Sequence, residues 1–171
     1  FRIVDAEDPA GAAVAEIKAG RAQTLMKGQI ATPALMKAVL ARETGLRTER
    51  CICQVVLMEI VRDRRRFLLS DTGITIQPTL DQKADILRSM VSMASALQTS
   101  DSADLPRVAC MAATEKASEA MPDTLDAAEL TRRNGAGEFP DCLVQGPLSF
   151  DLAYAQDAGE KKKIDGGVIG S

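Results

Sequence analysis

Three short polar loops that contain glycine each follow an apolar, strand-like run of residues. The loops occupy residues 27–32, 70–73 and 145–151. Because the carboxyl ends of parallel strands gather at one edge of an α/β sheet, these loops can meet in a single crevice. A lysine and a helix amino terminus at that place would favour an anionic ligand, of which phosphate is the simplest.

The first loop has the residue types of an anion site. Lys27 carries a full charge, and a helix predicted to begin at Thr32 and Pro33 would direct backbone N–H groups towards the same place. The loop is not a Walker A motif, because it has one glycine and its lysine precedes that glycine. A solvated lysine in an ordinary strand-to-helix loop is the alternative.

Three carboxylates near strand ends are candidates for proton transfer or for orienting a substrate. They are Asp71, Glu115 and Asp151. Because the chain has no histidine, the usual Ser–His and Cys–His nucleophile pairs are excluded, and a general base must be a carboxylate or a lysine. The structural alternatives are a turn closed by Asp71, a helix-start carboxylate at Glu115 and an N-cap at Asp151.

The third loop contains a glycine followed by a proline. Gly146 permits close approach of the backbone to a ligand, and Pro147 stiffens the chain beside it. A tight turn that precedes a helix is the alternative.

Composition narrows the classes of function. The 171 residues are 46% hydrophobic, 26% charged and 3% aromatic, with a net charge of −3, and no apolar run is long enough for a bilayer. These values speak against nucleic-acid and membrane partners. Four cysteines lie in apolar runs, which indicates reduced thiols in a cytoplasmic protein. Because Cys51 and Cys53 lack a two-residue spacer and histidine is absent, we predict no metal site.

Helix and strand signals alternate along the chain, which is typical of α/β architecture. Helices are predicted from Asp8 to Gly20, from Thr32 to Gly45, from a capping box at Thr79, over 124–133 and just before 161. Strands are predicted at 22–26, 51–60, 66–70, 108–111, 142–144 and 166–171, with the second and third of these forming a hairpin.

Taken in order, these strings resemble one family. They include LMKGQIAT at 25–32, LSDTGI at 69–74, PTLDQK at 78–83, PRVA at 106–109, TEK at 114–116, MPDTLDA at 121–127, GPLSFD at 146–151 and KKK at 161–163. The chain resembles the phosphate acetyltransferase and phosphate butyryltransferase family over nearly its whole length, and more closely the butyryl branch.

The resemblance implies an enzyme of two αβα lobes with mainly parallel sheets, similar in architecture to isocitrate and isopropylmalate dehydrogenases. Residues 1–75 would belong to the first lobe and 76–171 to the second. The implied reaction is acyl-CoA plus phosphate giving acyl phosphate plus CoA, catalysed in the cytoplasm by a homodimer. CoA would be a substrate, and no tightly bound cofactor is implied.

The resemblance also assigns roles to residues of this chain. Asp151, Asp71 and Glu115 would be catalytic. The residues that would bind phosphate or acyl phosphate are Lys27, Gly28, Thr32, Thr72, Gly146 and Pro147.

Two departures from the family keep other interpretations open. Gln145 stands where the family commonly has an acidic residue, and the ends of the family fold are expected to be missing. One alternative is therefore a truncated or degenerate member that binds an anion or CoA without turnover. The other is a metal-dependent dehydrogenase of the same architecture, although Asp71 and Asp151 alone make a poor set of metal ligands.

Overall fold

The computed structural model describes residues 2–98 and 104–170. Two units, Phe1–Arg50 and Cys51–Ser171, each have their own internal contacts. Together they contain helices, a two-stranded antiparallel sheet and a two-stranded parallel sheet. The chain is therefore mixed α/β, and its division into lobes near residue 75 stays a prediction.

The first unit is built on two short helices that pack together, α1 (Pro9–Lys18) and α2 (Thr32–Val39). As predicted, Asp8 caps α1, and its carboxylate accepts a hydrogen bond from the Gly11 N–H. The Lys18 ammonium donates to the Glu43 carbonyl across 2.6 Å and so ties α1 to the segment after α2.

Three predictions in the first unit are wrong. Residues 22–26 form no strand, because a strand needs a neighbour for its backbone and none of the described residues pairs with this segment. Ala31, rather than Thr32, is the N-cap of α2. The helix ends at Val39 rather than near Gly45, because the Val39 carbonyl instead accepts from the Leu46 N–H in the turn that follows.

The second unit begins with the predicted hairpin, in which β1 (Val56–Ile60) pairs antiparallel with β2 (Arg65–Leu69). The first strand starts later than predicted, because residues near Cys51 are held by side chains. The Cys51 N–H donates to Asp85, and the Thr75 hydroxyl donates to the Ile52 carbonyl.

A long helix is followed in the chain by a β–α–β unit. Helix α3 (Leu80–Leu97) begins at the predicted Thr79–Gln82 capping box. Strand β3 (Arg107–Met111) runs into α4 (Pro122–Gly135), which returns to the parallel strand β4 (Leu143–Leu148).

Both faces of the parallel sheet are covered, which matches the arrangement typical of parallel strands. Val108 and Cys110 of β3 pack against the core under α3 and α4, whereas Ala109 packs against a second core. That second core is built around Leu152 of α5 (Phe150–Tyr154), and α6 (Gln156–Lys162) follows it. Burial raises the pKa of the Cys110 thiol to about 12.

The predicted strand at 166–171 is wrong over its described residues, which form a turn. Val168 and Ile169 are buried in the second core, and the Gly170 N–H donates to the Leu152 carbonyl. Packing against α5 therefore takes the place of strand pairing.

Candidate active site

Four polar side chains from separate elements of the second unit meet in one ionic cluster. Glu115 follows β3, Ser149 is the N-cap of α5, Asp151 lies in the first turn of α5, and Lys162 ends α6. The parallel strands β3 and β4 bring Glu115 and Ser149 together because both residues lie beyond the carboxyl ends of those strands.

Lys162 is the centre of the ionic cluster. Its Nζ lies 2.7 Å from Glu115 Oε1, 3.1 Å from Asp151 Oδ2 and 3.1 Å from Ser149 Oγ. The Ser149 hydroxyl also donates to Glu115 Oε1 across 2.5 Å. The Lys162 side chain is 40% exposed, so its charge is accessible to a ligand.

The contacts move the pKa values of all three charged groups so that each stays ionised. The Lys162 ammonium, and then the Ser149 hydroxyl, lower the pKa of Glu115. For Asp151 the order is reversed, with the Ser149 hydroxyl lowering the pKa most. The bond to Glu115, followed by that to Asp151, raises the pKa of Lys162.

This arrangement presents one exposed cation beside two ionised carboxylates. The ammonium can exchange a carboxylate oxygen for a phosphate oxygen, since both are strong acceptors. A carboxylate released in this way remains within reach to accept a proton.

Asp71 stands in a different setting, as the acceptor that closes a turn. Its carboxylate accepts backbone N–H bonds from Gly73, Ile74 and Thr75, each at 2.9 Å. Burial raises its pKa, but the backbone N–H bonds lower it further, and the net pKa is below the ordinary value. Thr72 is exposed at the tip of this turn. The turn anticipated from the sequence is thus present.

Gly146 and Pro147 lie within β4, which corrects the prediction that they belong to a loop. A Cβ on Gly146 would lie 2.5 Å from Cys110 Cβ and 2.7 Å from the Cys110 carbonyl oxygen. The glycine therefore allows β4 to lie close against β3, and Pro147 beside it is buried.

In the first unit, Lys27 organises its own loop. Its Nζ donates to the Ile30 carbonyl at 3.0 Å and to the Gly28 carbonyl at 3.2 Å. Gly28 and Thr32 are exposed, and no side chain caps α2. Pro33 removes one amide from the helix start, and the Ala34 N–H is bonded to the Ala31 carbonyl. The helix terminus thus offers fewer free donors than its sequence suggested.

Sequence reasoning missed Lys162 and Ser149 as members of the ionic cluster. The sequence shows the three lysines at 161–163, but the geometry of α6 determines which of them joins the ionic cluster. Lys161 pairs with Asp157 one turn earlier, and Lys163 takes a left-handed backbone conformation at the end of α6. The only available signal was the position of the run at a helix end.

The side-chain amide of Gln145 forms two hydrogen bonds to the backbone of the final turn. Its Nε2 donates to the Asp165 carbonyl at 3.1 Å, and its Oε1 accepts from the Val168 N–H at 3.3 Å. A carboxylate could make the second bond but not the first, so the departure from the family pattern holds the final turn in place.

Within residues 2–98 and 104–170, no three His, Cys, Asp or Glu side chains are grouped to hold a metal ion. None of the helices in the same ranges combines the length and the apolar character needed to cross a membrane.

A family model described as phosphate acetyl/butaryl transferase matches residues 2–171. Over 164 residues the chain is 36% identical to a phosphate acetyltransferase of Thermotoga maritima, which covers 96% of this chain and 54% of the relative. It is 35% identical to a phosphate acetyltransferase of Rickettsia typhi, over 100% of this chain and 49% of that protein. A phosphate butyryltransferase of Clostridium acetobutylicum is 34% identical over 92% of this chain and 51% of its own length.

A solved structure agrees with these sequence matches. The crystal structure of a branched-chain phosphotransacylase from Enterococcus faecalis V583 superposes with a TM-score of 0.79 at 28% identity, covering 98% of this chain and 58% of that one. The chain thus spans about half the length of the curated relatives it matches.

Proposed function

This chain belongs to the phosphate acetyl/butyryl transferase family, and we propose that the protein is an enzyme that moves an acyl group between CoA and inorganic phosphate. The observation that carries this proposal is the match over residues 2–171, joined by relatives named for both acetyl and butyryl transfer. The family assignment does not favour the dehydrogenase alternative. Since acetyl and butyryl relatives match to a similar degree, the preference for the butyryl branch stays a prediction.

The reaction needs positioning and charge neutralisation more than a covalent nucleophile. The CoA sulfur bonds to the acyl carbonyl carbon, the bond from that carbon to the phosphate oxygen breaks, and the thiol proton is released. In this scheme Lys162 binds a phosphate oxygen and offsets the charge on the leaving phosphate. Glu115 or Asp151, freed from the ammonium, accepts the thiol proton.

We assign the remaining predicted residues to binding or to support. Lys27, Gly28 and Thr32 would hold phosphate at the loop before α2, where the lysine charge and the helix terminus both favour an anion. Asp71 would act by fixing the turn that carries Thr72 to the phosphate. Gly146 and Pro147 would hold β4 in register so that Ser149 and Asp151 reach Lys162.

The complete enzyme would have the wider features that its family suggests. We propose two αβα lobes of the isocitrate dehydrogenase type, divided near residue 75, in a cytoplasmic homodimer. CoA enters as a substrate rather than as a tightly bound cofactor, and the other ligands are acyl-CoA, phosphate and acyl phosphate. No nucleic acid or membrane partner is proposed.

Arsenolysis of acyl-CoA tests the reaction directly. Arsenate takes the place of phosphate, the acyl arsenate hydrolyses, and the thioester absorbance falls irreversibly. We expect arsenate-dependent loss of acetyl-CoA or butyryl-CoA, with the Thermotoga maritima enzyme as the positive control. CoA binding measured by calorimetry without any turnover would instead support the non-catalytic alternative.

A further inference from the structure

The ionic cluster depends on the angle between two short helices. Helices α5 and α6 share Ala155, which is the C-cap of the first and the N-cap of the second. Asp151 lies in the first turn of α5, and Lys162 ends α6, so the partners of this 3.1 Å ion pair lie on opposite sides of the junction. Whatever fixes the junction therefore fixes the ion pair.

A small change in the angle between the two helices would be enough to break the ion pair. Because α6 has seven residues and a helix rises about 1.5 Å per residue, its last residue lies about 10 Å from the junction. At that distance a rotation of about 10° would move the end of α6 by about 2 Å. Helices of five and seven residues are too short to be stable without tertiary contacts, so neither can resist such a rotation by itself.

Arg65 of the hairpin binds at this junction. Its guanidinium donates to the carbonyl of Tyr154, the last residue of α5, and across 3.2 Å to the Gly170 carbonyl. The guanidinium carbon also lies 4.2 Å from the centre of the Tyr154 ring. Gly170 is itself bonded to α5, because its N–H donates to the Leu152 carbonyl. One planar cation thus joins the end of α5 to the final turn of the described chain.

Other residues of the hairpin contact the same helix. The Tyr154 hydroxyl donates to the Asp63 carboxylate. At the start of α5, the Phe150 ring lies 5.8 Å from the Phe67 ring and stacks on Tyr154 at 5.6 Å. Arg65 and Phe67 share one face of β2, because side chains alternate along a strand. The hairpin therefore contacts α5 at both of its ends.

We propose that Arg65 is a positioning residue of the ionic cluster, which acts through the junction of α5 and α6 to hold Asp151 against Lys162. The role requires a guanidinium, because one planar group with several donors meets two carbonyls and a ring, whereas a lysine ammonium is a single point of charge. The effect of Arg65 on turnover rests on the proposed function, but its effect on the geometry of the ionic cluster does not.

Carbon-13 NMR titration of the carboxyl groups tests the proposal with Arg65→Met. We expect the pKa of Asp151 to rise towards its ordinary value. The reason is that Lys162, which lowers this pKa after the larger effect of Ser149, would lie farther away. Asp157 is the internal control, because the lysine that lowers its pKa lies one turn away within α6. The pKa of Asp157 should not change.

Two further variants separate the position of Arg65 from its charge. Arg66→Met removes the same charge from the next residue of β2, where the side chain is 68% exposed and pairs with Glu59 at 2.7 Å. It should leave the pKa of Asp151 unchanged. Arg65→Lys keeps the charge, and we expect a pKa of Asp151 close to that in Arg65→Met. Full restoration by lysine, or equal effects of Arg65→Met and Arg66→Met, would overturn the proposal.

Amide hydrogen exchange at neutral pH distinguishes a moved junction from a general loss of stability. The Ala155 N–H donates to the Asp151 carbonyl at the end of α5. The Leu143 N–H donates to the Pro106 carbonyl at the start of the parallel sheet. We expect Arg65→Met to speed exchange about tenfold at Ala155 and less than about twofold at Leu143. Equal acceleration at both amides would overturn the proposal.

Arsenolysis shows whether the positioning matters for the reaction. Because misplaced reacting groups slow the chemical step, we expect Arg65→Met to lower the turnover number about fivefold and to change the Michaelis constant for acyl-CoA less than about twofold. An unchanged turnover number beside a raised pKa of Asp151 would contradict the chemistry assigned to the ionic cluster. Absence of turnover in the unsubstituted chain would contradict the proposed function, and the NMR results would still decide the role of Arg65.

Discussion

Two lysines in this chain, Lys27 and Lys162, differ in whether their bonding partners are near or distant in the sequence. Lys27 donates to carbonyls one and three residues away, within a single exposed loop of the first unit. Lys162 bonds to carboxylates 11 and 47 residues away, which β4, α5 and α6 bring together. The first loop is defined by local sequence, whereas the second exists only once the parallel sheet has formed.

The two lysines therefore differ in the groups that an incoming ligand must replace. At Lys27, phosphate would compete with two neutral carbonyls, which are weaker acceptors than an ionised group. At Lys162, it would compete with two carboxylates that are already charged and well placed. We therefore expect the first loop to contribute mainly to binding and the ionic cluster mainly to the chemical step.

The largest test of the comparison is a pair of glycine substitutions. Gly146→Ala places a methyl group 2.5 Å from Cys110 Cβ and 2.7 Å from a carbonyl oxygen, whereas Gly28 has open space around it. We expect the first to lower the free energy of unfolding by about 3 kcal/mol. Gly28→Ala should change it by less than about 0.5 kcal/mol. Urea denaturation followed by circular dichroism measures both, and equal losses would contradict the comparison.

Lys162→Met and Lys27→Met compare the two cations directly. Removing Lys162 should raise the pKa of Glu115 more than that of Asp151, because the ammonium is the main cause of the first shift and the Ser149 hydroxyl of the second. Carbon-13 NMR titration of the carboxyl groups measures this. Lys27→Met should leave both pKa values unchanged.

The same pair should differ in enzymatic activity. We expect arsenolysis to show at least a tenfold lower turnover number for Lys162→Met, and a higher Michaelis constant for arsenate with Lys27→Met.

Because the folded pKa of Glu115 lies below its ordinary value of 4.5, its contribution to stability is present above that pH and is lost as pH falls through the folded value. Lys162→Met should therefore lose less stability on acidification than the unchanged chain.

Asp71→Asn tests whether the second loop is held locally like the first. An amide side chain offers one acceptor oxygen where the carboxylate offers two, so at least one backbone N–H loses its partner. We expect a loss of about 1 to 2 kcal/mol at neutral pH by urea denaturation, with Thr72→Ser as a nearly neutral control.

The loss should depend on pH. Since the folded pKa of Asp71 is lowered, its advantage is present at neutral pH and disappears as pH falls through that folded value. A difference between the two proteins that does not shrink at all as the pH falls below the ordinary range of an aspartate would argue against an ionised Asp71 as the cause.

Gln145→Glu is expected to have the smallest effect. The substitution removes the donor to the Asp165 carbonyl but keeps an acceptor for the Val168 N–H. We expect a loss of about 1 kcal/mol. Gln145→Met, which removes both bonds, should lose more stability and should speed amide exchange at Val168. Equal stability of the two variants would show that the Gln145 side chain does not hold the final turn.

Local signals in the sequence were good predictors of local structure. The Thr79–Gln82 capping box, the Asp8 cap and the hairpin all depend on residues that are near one another in the chain, and all were predicted. The family resemblance, which draws on the order of motifs along the chain, was confirmed as well.

Features that depend on distant neighbours were not predicted. Residues 22–26 have strand-like composition but lack a pairing strand in the described chain. Strand β4 extends through Gly146, where Cys110 and Ala127 approach too closely for a side chain to fit. The choice of Lys162 from three successive lysines depends on where α6 ends. Each of these outcomes was set by tertiary packing, which periodicity in one segment does not reveal.

Cys110 offers a way to time the opening of the second unit. With a pKa near 12, on the order of one thiol in 100,000 is ionised at neutral pH, whereas a free cysteine is ionised at a few per cent. A thiol reagent will therefore modify this position much more slowly in the folded second unit than in an unfolded chain. The labelling rate thus reports how far the environment that raises the pKa of Cys110 has been lost.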